Sequence, residues 1–196
     1  MDRIQTQGLH HVTLVGADRQ TSIDFWEGVL GMPFVFEQPN LDNPLESHLY
    51  FDPGDGRLIT IFTNEDRKPL GRRTPTEPGC VHHIAFYVSR VTFRAALDRL
   101  TARGIENTGP RDRHMFDAIY FQDPLGLLIE LSSWKFDPPA GFTHTDVLHK
   151  AHLLRVESGA RAIEDAHLVA AIEALVLGST NSLSVDRSAK DPYARG

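Results

Sequence analysis

Two histidine doublets stand in similar apolar segments of the chain. LHHVTL (9–14) carries one doublet and VHHIAF (81–86) carries the other. In a β-strand, neighbouring residues point to opposite faces of the sheet. The apolar residues after each doublet define the core face, so His11 and His83 point to the other face. Both segments therefore offer one imidazole to the same kind of surface.

A carboxylate in a third apolar segment completes this set. GLLIEL (126–131) places Glu130 between residues of the core face, where a carboxylate is costly unless it is paired or bound to a metal. In AIYFQ (118–122), the same alternation brings Tyr120 to this polar face. Two imidazoles and one carboxylate hold a divalent metal with coordination positions left open, which suits Fe(II) and also Mn(II). The residues predict a metal site formed by His11, His83 and Glu130.

An internal repeat supplies the elements that position these residues. Residues 8–63 and 79–134 each read as strand, helix and three short extended runs, joined by a polar linker at 64–78. In the first unit, a helix capped by Asp18 or Thr21 ends at Gly31. The predicted extended segments are 9–15, 33–36, 48–51 and 57–62 in the first unit, and 81–88, a short run at Ile105, 118–122 and 127–132 in the second.

Residues 135–196 fall outside the repeat. We expect a C-terminal helical extension over 135–178, with helices at 146–156 and 163–177, followed by a disordered polar tail at 179–196. The helices would cover the open end of the sheet or form a dimer contact, so we expect a homo-oligomer.

Composition narrows the function classes. A net charge of −6 over 196 residues argues against nucleic-acid binding, which requires a basic stripe. No apolar run approaches the ~20 residues that span a bilayer, and the first residues lack the apolar segment of a secretory signal. The single Cys80 fits a reducing compartment. We therefore expect a cytoplasmic protein without nucleic-acid or membrane partners.

LHHVTL, VHHIAF and GLLIEL, in this order, resemble the vicinal oxygen chelate superfamily. The resemblance covers about residues 8–134. It implies an α+β fold in which two paired βαβββ modules form a cupped mixed sheet, here with a C-terminal helical extension. It also implies that His11, His83 and Glu130 are the metal ligands.

Within the superfamily, the HH doublets look most like those of hydroquinone ring-cleaving dioxygenases. This resemblance implies an Fe(II) enzyme, with Mn(II) as an alternative, that opens a hydroquinone, catechol or related phenol with O2 in aromatic catabolism. It implies active-site roles for five further residues: His10, Thr13, His82, Arg113 and Tyr120. Those dioxygenases usually have four modules, whereas this chain has two.

Two details bear on these roles. Strict alternation places His10 and His82 on the core face, so their roles require an irregular start of each strand. His48 faces the polar side by alternation with Tyr50, but belongs to no motif that we recognise.

Two other functions remain open. An O2-independent transferase or lyase, similar to the fosfomycin thiol transferases, needs the same ligands with Mn(II). A non-enzymatic small-molecule binding protein of the fold would lack the ligand set. Aligning GRLITIF (56–62) with GLLIEL places Thr60 opposite Glu130. Because the first module then supplies no carboxylate, a glyoxalase I activity with four protein ligands is disfavoured.

Overall fold

The first βαβββ module forms one four-stranded sheet with a single helix. The computed structural model describes residues 3–69, 73–179 and 193. The elements of this module are β1 (His11–Val15), α1 (Arg19–Trp26), β2 (Phe34–Pro39), β3 (Ser47–Phe51) and β4 (Leu58–Thr63). The strand order is β1-β4-β3-β2. β1 runs parallel to β4, and the other neighbours are antiparallel.

The second module repeats this arrangement. Its elements are β5 (Ile84–Tyr87), α2 (Arg90–Ala102), β6 (Arg111–Asp112), β7 (Phe116–Gln122) and β8 (Leu128–Trp134). The order β5-β8-β7-β6 matches the first sheet, again with a parallel pair between the first and last strands. The predicted duplication of βαβββ units is confirmed.

Local hydrogen bonds explain where both helices begin. The carboxylate of Asp18 accepts from the backbone N–H of Thr21 at 2.8 Å. In the second module, the hydroxyl of Ser89 accepts from the backbone N–H of Thr92 at 3.1 Å. Such caps satisfy N–H groups that have no partner inside the helix. Of the two cap candidates in the first helix, Asp18 is the N-cap.

One hydrophobic core is shared by the two modules. It contains residues from both helices and both sheets, and the core positions predicted from alternation all belong to it or pack against it. The ring of Phe25 lies 6.4 Å from that of Phe121, and the ring of Trp26 lies 6.3 Å from that of Phe86. Because each sheet turns its apolar face to this core, its polar face points away from it.

The C-terminal extension is a pair of helices with its own small core. The chain divides into two compact units, Met1–Asp112 with Asp117–Ser133, and Arg113–Phe116 with Trp134–Gly196. The second unit contains α3 (His144–Ser158) and α4 (Asp165–Ser179). Its buried residues are Val147, Ala151, Leu168 and Ala171. A capping box of Thr143 and Asp146 starts α3.

The α+β class is confirmed, with one four-stranded sheet for each module, while one predicted strand is not formed. The predicted run at Ile105 is not a strand, because its N–H bonds to Leu100 O at 2.9 Å and closes α2. The fourth strand of that sheet is β6 instead. The predicted tail lies, except for residues 179 and 193, outside the described residues. Among the described residues, no helix is long and apolar enough to cross a membrane.

Candidate metal centre

The two histidine doublets have the same geometry. The Nδ1 atoms of His10 and His11 are 2.7 Å apart, and those of His82 and His83 are 2.8 Å apart. In both doublets the ring centroids are 5.0 Å apart and the rings are nearly perpendicular, at 78° and 81°. Each doublet is therefore one hydrogen-bonded unit in which the second histidine is oriented by the first.

The predicted roles of His10 and His82 require an irregular start of each strand, and both strands have one. β1 begins at His11 and β5 begins at Ile84, so His10 and His82 precede the regular strands. Both side chains are exposed and bond to the neighbouring imidazole. Alternation therefore does not force either residue into the core.

His83 and Glu130 form a close pair on the polar face of the second sheet. His83 Nε2 lies 2.9 Å from Glu130 Oε2, and the Glu130 side chain is only 4% exposed. The hydroxyl of Ser132 donates to the other carboxylate oxygen of Glu130. Register explains the contact: Ala85 pairs with Glu130, so the residue two positions before Ala85 reaches the same part of the face.

The direction of the hydrogen bonds along this chain of groups can be assigned. Arg73 Nη2 lies 3.2 Å from His82 Nε2, and a guanidinium can only donate. A neutral His82 then carries its proton on Nδ1 and donates to His83 Nδ1. A neutral His83 carries its proton on Nε2 and donates to Glu130. A divalent metal bound at His83 Nε2 would replace this proton.

The first module presents a neutral counterpart to this pair. Thr13 pairs with Thr60 in register, and Thr60 Oγ1 donates to Thr13 Oγ1 at 2.9 Å. Thr60 is fully buried and takes the place that Glu130 has in the second module, as the alignment of the two segments predicts. His11 extends from the same face with no carboxylate supplied by its own sheet at this position.

The donor atoms of His83 and Glu130 fit a divalent metal. Two ligands at ~2.1 Å from a metal and at right angles to each other lie ~3 Å apart, close to the separation seen here. Among the described residues, no group of three or more His, Cys, Asp and Glu side chains is placed to hold a metal ion. The structure thus brings two of the three predicted ligands together, and His11 stays a prediction.

Tyr120 and Arg113 have different surroundings. The ring of Tyr120 lies 6.0 Å from that of His83, edge to face at 86°, so its position beside the pair agrees with the sequence pattern. Arg113 belongs to the second compact unit, where its backbone N–H bonds to Phe116 O at 2.9 Å. Its role remains a prediction.

A cluster around His48 was only partly visible in the sequence. On the polar face of the first sheet, Tyr50 Oη lies 2.8 Å from His48 Nδ1 and accepts from Gln38 Nε2 at 3.2 Å. The ring of Phe36 stacks on Tyr50 with centroids 3.9 Å apart. Burial lowers the pKa of His48, and the nearby charge of His11 lowers this pKa further. Alternation showed the face on which His48 lies, but not its partners.

Comparison with known proteins agrees with this fold and these motifs. A sequence profile of the glyoxalase/bleomycin resistance protein/dioxygenase superfamily matches residues 8–131. The chain belongs to this superfamily, whose fold the two βαβββ modules share. The motifs that carry the predicted metal ligands all lie within the matched segment.

Two curated relatives are named as dioxygenases. "Putative ring-cleaving dioxygenase MhqA" of Bacillus subtilis is 29% identical over 128 residues, which are 65% of this chain and 40% of that protein. "Chlorohydroquinone/hydroquinone 1,2-dioxygenase" of Sphingobium indicum is 30% identical over 112 residues, which are 54% of this chain and 31% of that protein. The chain thus spans well under half the length of these relatives.

One solved structure is matched over nearly its whole length, and it is the structure of a protein named for a different function. It is a mutant of the fosfomycin resistance protein FosX of Listeria monocytogenes, complexed with Mn(II) and a dihydroxypropylphosphonic acid, and it has a TM-score of 0.50 and 25% identity. The match covers 65% of this chain and 92% of that one. The matched part of this chain is therefore similar to almost a complete fosfomycin resistance chain.

Proposed function

We propose that this protein is a metal-dependent dioxygenase that opens a hydroquinone, catechol or related phenol with O2. His11, His83 and Glu130 would hold Fe(II), with Mn(II) as an alternative. The observation that carries the proposal is the buried Glu130 carboxylate, which lies 2.9 Å from His83 Nε2 in a protein whose relatives are named for this reaction.

The bound metal would supply Lewis-acid chemistry and a route for electrons from the aromatic ring to O2. The residues of the chain orient the reactants and move protons. His82 fixes the imidazole of His83 through the Nδ1 contact. We assign two proton transfers to His82 and to the hydroxyl of Tyr120. One removes the proton of the phenol, and the other delivers a proton to the oxidised product. We assign orientation of the substrate to His10, Thr13 and Arg113.

A second copy of the chain would complete the metal site. His11 and the pair of His83 and Glu130 lie on sheet faces that both point away from the shared core, and among the described residues of one copy they do not form a metal-holding group. β1 and β5 are edge strands. On their polar faces, Val15 and Tyr87 are 68% and 69% exposed, and exposed apolar groups along free edges favour association. We infer that the first module of one copy meets the second module of another.

The test of the activity is O2 uptake by protein reconstituted with Fe(II) under anaerobic conditions and then given O2 with a panel of hydroquinones and catechols. We expect uptake and a ring-opened product, both lost in His83→Ala. Tyr120→Phe should bind metal normally and turn over more slowly, by ~10²-fold or more. No uptake by a protein that binds metal tightly would overturn the dioxygenase proposal.

The second candidate is an O2-independent, Mn(II)-dependent transferase or lyase. The near-complete coverage of the FosX chain favours it, because the matched segment alone makes up almost all of that protein. Incubation of the Mn(II)-loaded protein with fosfomycin, in the absence of O2 and with or without a thiol, tests this function. Consumption of fosfomycin, together with no O2 uptake on phenols, would select it.

A further inference from the structure

We propose that His48 recognises a second oxygen of the aromatic ligand, through a hydrogen bond donated by its Nε2. The inference rests on the proposed function, in which a first hydroxyl of the ligand is held at the metal. It adds a binding residue from outside the metal-binding motifs. It also predicts that the protein prefers dihydroxylated rings over monophenols.

The hydrogen bonds around His48 favour one position for its ring proton. Gln38 Nε2 can only donate, so Tyr50 Oη accepts this bond at 3.2 Å. The hydroxyl proton of Tyr50 is then free to go to His48 Nδ1, which lies 2.8 Å from the hydroxyl oxygen. A neutral His48 that accepts at Nδ1 carries its own proton on Nε2.

This Nε2–H group is buried and unsatisfied. Among the residues that the structure describes, His48 Nε2 has no hydrogen-bond partner although it is shielded from solvent. Such groups are rare in folded proteins because losing water without a replacement bond is unfavourable. This donor lacks an acceptor, and we infer that the side chains that cover it move aside so that an oxygen atom of a ligand can accept its hydrogen bond.

The surroundings of His48 suit a flat ring. The His48 ring centroid lies 4.2 Å from that of Tyr50 and 4.4 Å from that of Phe62. Phe36 continues this wall by stacking on Tyr50 at 15° and is 44% exposed. The wall lies on the sheet face that carries His11, so an aromatic ligand bound at the metal would have this surface beside it.

The experiment is a double-mutant cycle between the protein and the ligand. Dissociation constants for hydroquinone and phenol are measured without O2, on the Fe(II)-loaded wild type and on His48→Phe. Phenol lacks the second hydroxyl, and phenylalanine keeps the ring but lacks the N–H. We expect the wild type to bind hydroquinone about three- to tenfold more tightly than phenol, and His48→Phe to bind both alike. The same substitution at His149, an exposed residue of α3, should keep the preference.

A preference for hydroquinone that survives in His48→Phe would overturn the assignment of His48 while leaving the proposed function intact. Failure of the wild type to bind either ligand would overturn both. A second measurement does not depend on a variant that folds or on bound metal. Long-range ¹H–¹⁵N spectra of the metal-free wild type should show His48 as the Nε2–H tautomer at neutral pH. A spectrum of the Nδ1–H tautomer would overturn the proposal.

Discussion

At the scale of single residues, the doublets show how a short sequence motif orients a ligand. His83 can use only one ring nitrogen toward Glu130, because its other nitrogen is held by His82. Groups that hold a ligand residue in this way fix its tautomer and ring orientation. Metal binding at Nε2 would require the His83 proton to move to Nδ1, so that His82 becomes the acceptor. The contact of Arg73 with His82 favours the opposite, metal-free arrangement.

Ser132 should contribute to metal affinity without touching the metal. Its hydroxyl donates to one oxygen of Glu130 and so orients the carboxylate. We expect Ser132→Ala to weaken metal binding by ~10-fold, the lower end of the effect of such supporting groups. Competition with a chromophoric chelator measures the affinity. Ser158→Ala, at an exposed residue of α3, serves as the control, and equal affinities in both variants would contradict this prediction.

His48 should also make stability depend on pH. Burial, helped by the nearby charge of His11, lowers the pKa of His48 below 6.5 in the folded protein. The unfolded chain therefore binds a proton at this residue more readily. The contribution of neutral His48 to stability is present above about pH 6.5 and is lost as the pH falls from there through the lower pKa of the folded state. We expect His48→Phe to lose less stability than the wild type between pH 7.5 and pH 5, measured by urea unfolding. An identical loss in both proteins would contradict this prediction.

At the scale of elements, the start of α3 depends on reciprocal hydrogen bonds. The Thr143 hydroxyl accepts from Asp146 N at 3.2 Å, and Asp146 Oδ2 accepts from Thr143 N at 2.8 Å. The bonds from Thr143 lower the pKa of Asp146. The charged carboxylate is thus the form that fits the cap, and this support is present above about pH 4 and is lost as the pH falls.

Thr143→Ala should destabilise the helical extension by about 0.5–2 kcal/mol, the usual effect of losing an N-cap side chain. Thr143→Ser keeps the hydroxyl and should stay close to the wild type. Unfolding followed by circular dichroism, for the two variants and the wild type at pH 7, measures the difference. Equal stability of the alanine and serine variants would show that the box does not stabilise α3.

At the scale of the whole molecule, the sequence predicts faces better than it predicts contacts. Alternation assigned the core positions correctly because buried strands leave one face apolar. It also aligned Thr60 with Glu130 across the two modules. It could not show the bonds within each doublet, which depend on irregular backbone before the strands. It could not show which way each polar face points either, because that depends on how the two sheets pack together.

Among the described residues of one copy, the three predicted ligands do not form a group that could hold a metal ion. Because the apolar faces of both sheets contribute to one core, we infer that the face with His11 and the face with Glu130 point away from each other. If β1 of one copy associated with β5 of another copy, the polar face of the first module would adjoin the polar face of the second module. In a symmetric dimer, each copy would then give His11 to one site and give His83 and Glu130 to the other.

Mixing inactive variants tests this arrangement. His11→Ala lacks the ligand from the first module, and His83→Ala lacks one from the second. In a mixed dimer, one site combines both losses and the other has all three ligands. We expect each variant alone to show no O2 uptake, and co-expression to restore about a quarter of the wild-type sites, since half of the dimers are mixed. Metal content of the purified proteins gives a second measure.

The matched control mixes two variants of the second module, His83→Ala and Glu130→Ala. No combination of these copies contains a complete site, so their co-expression should restore nothing. Sedimentation measurements establish that the mixed dimers form. If the first pair also restores nothing although mixed dimers are present, the three ligands come together within one copy. The sheets would then have to turn their polar faces toward each other when the metal binds.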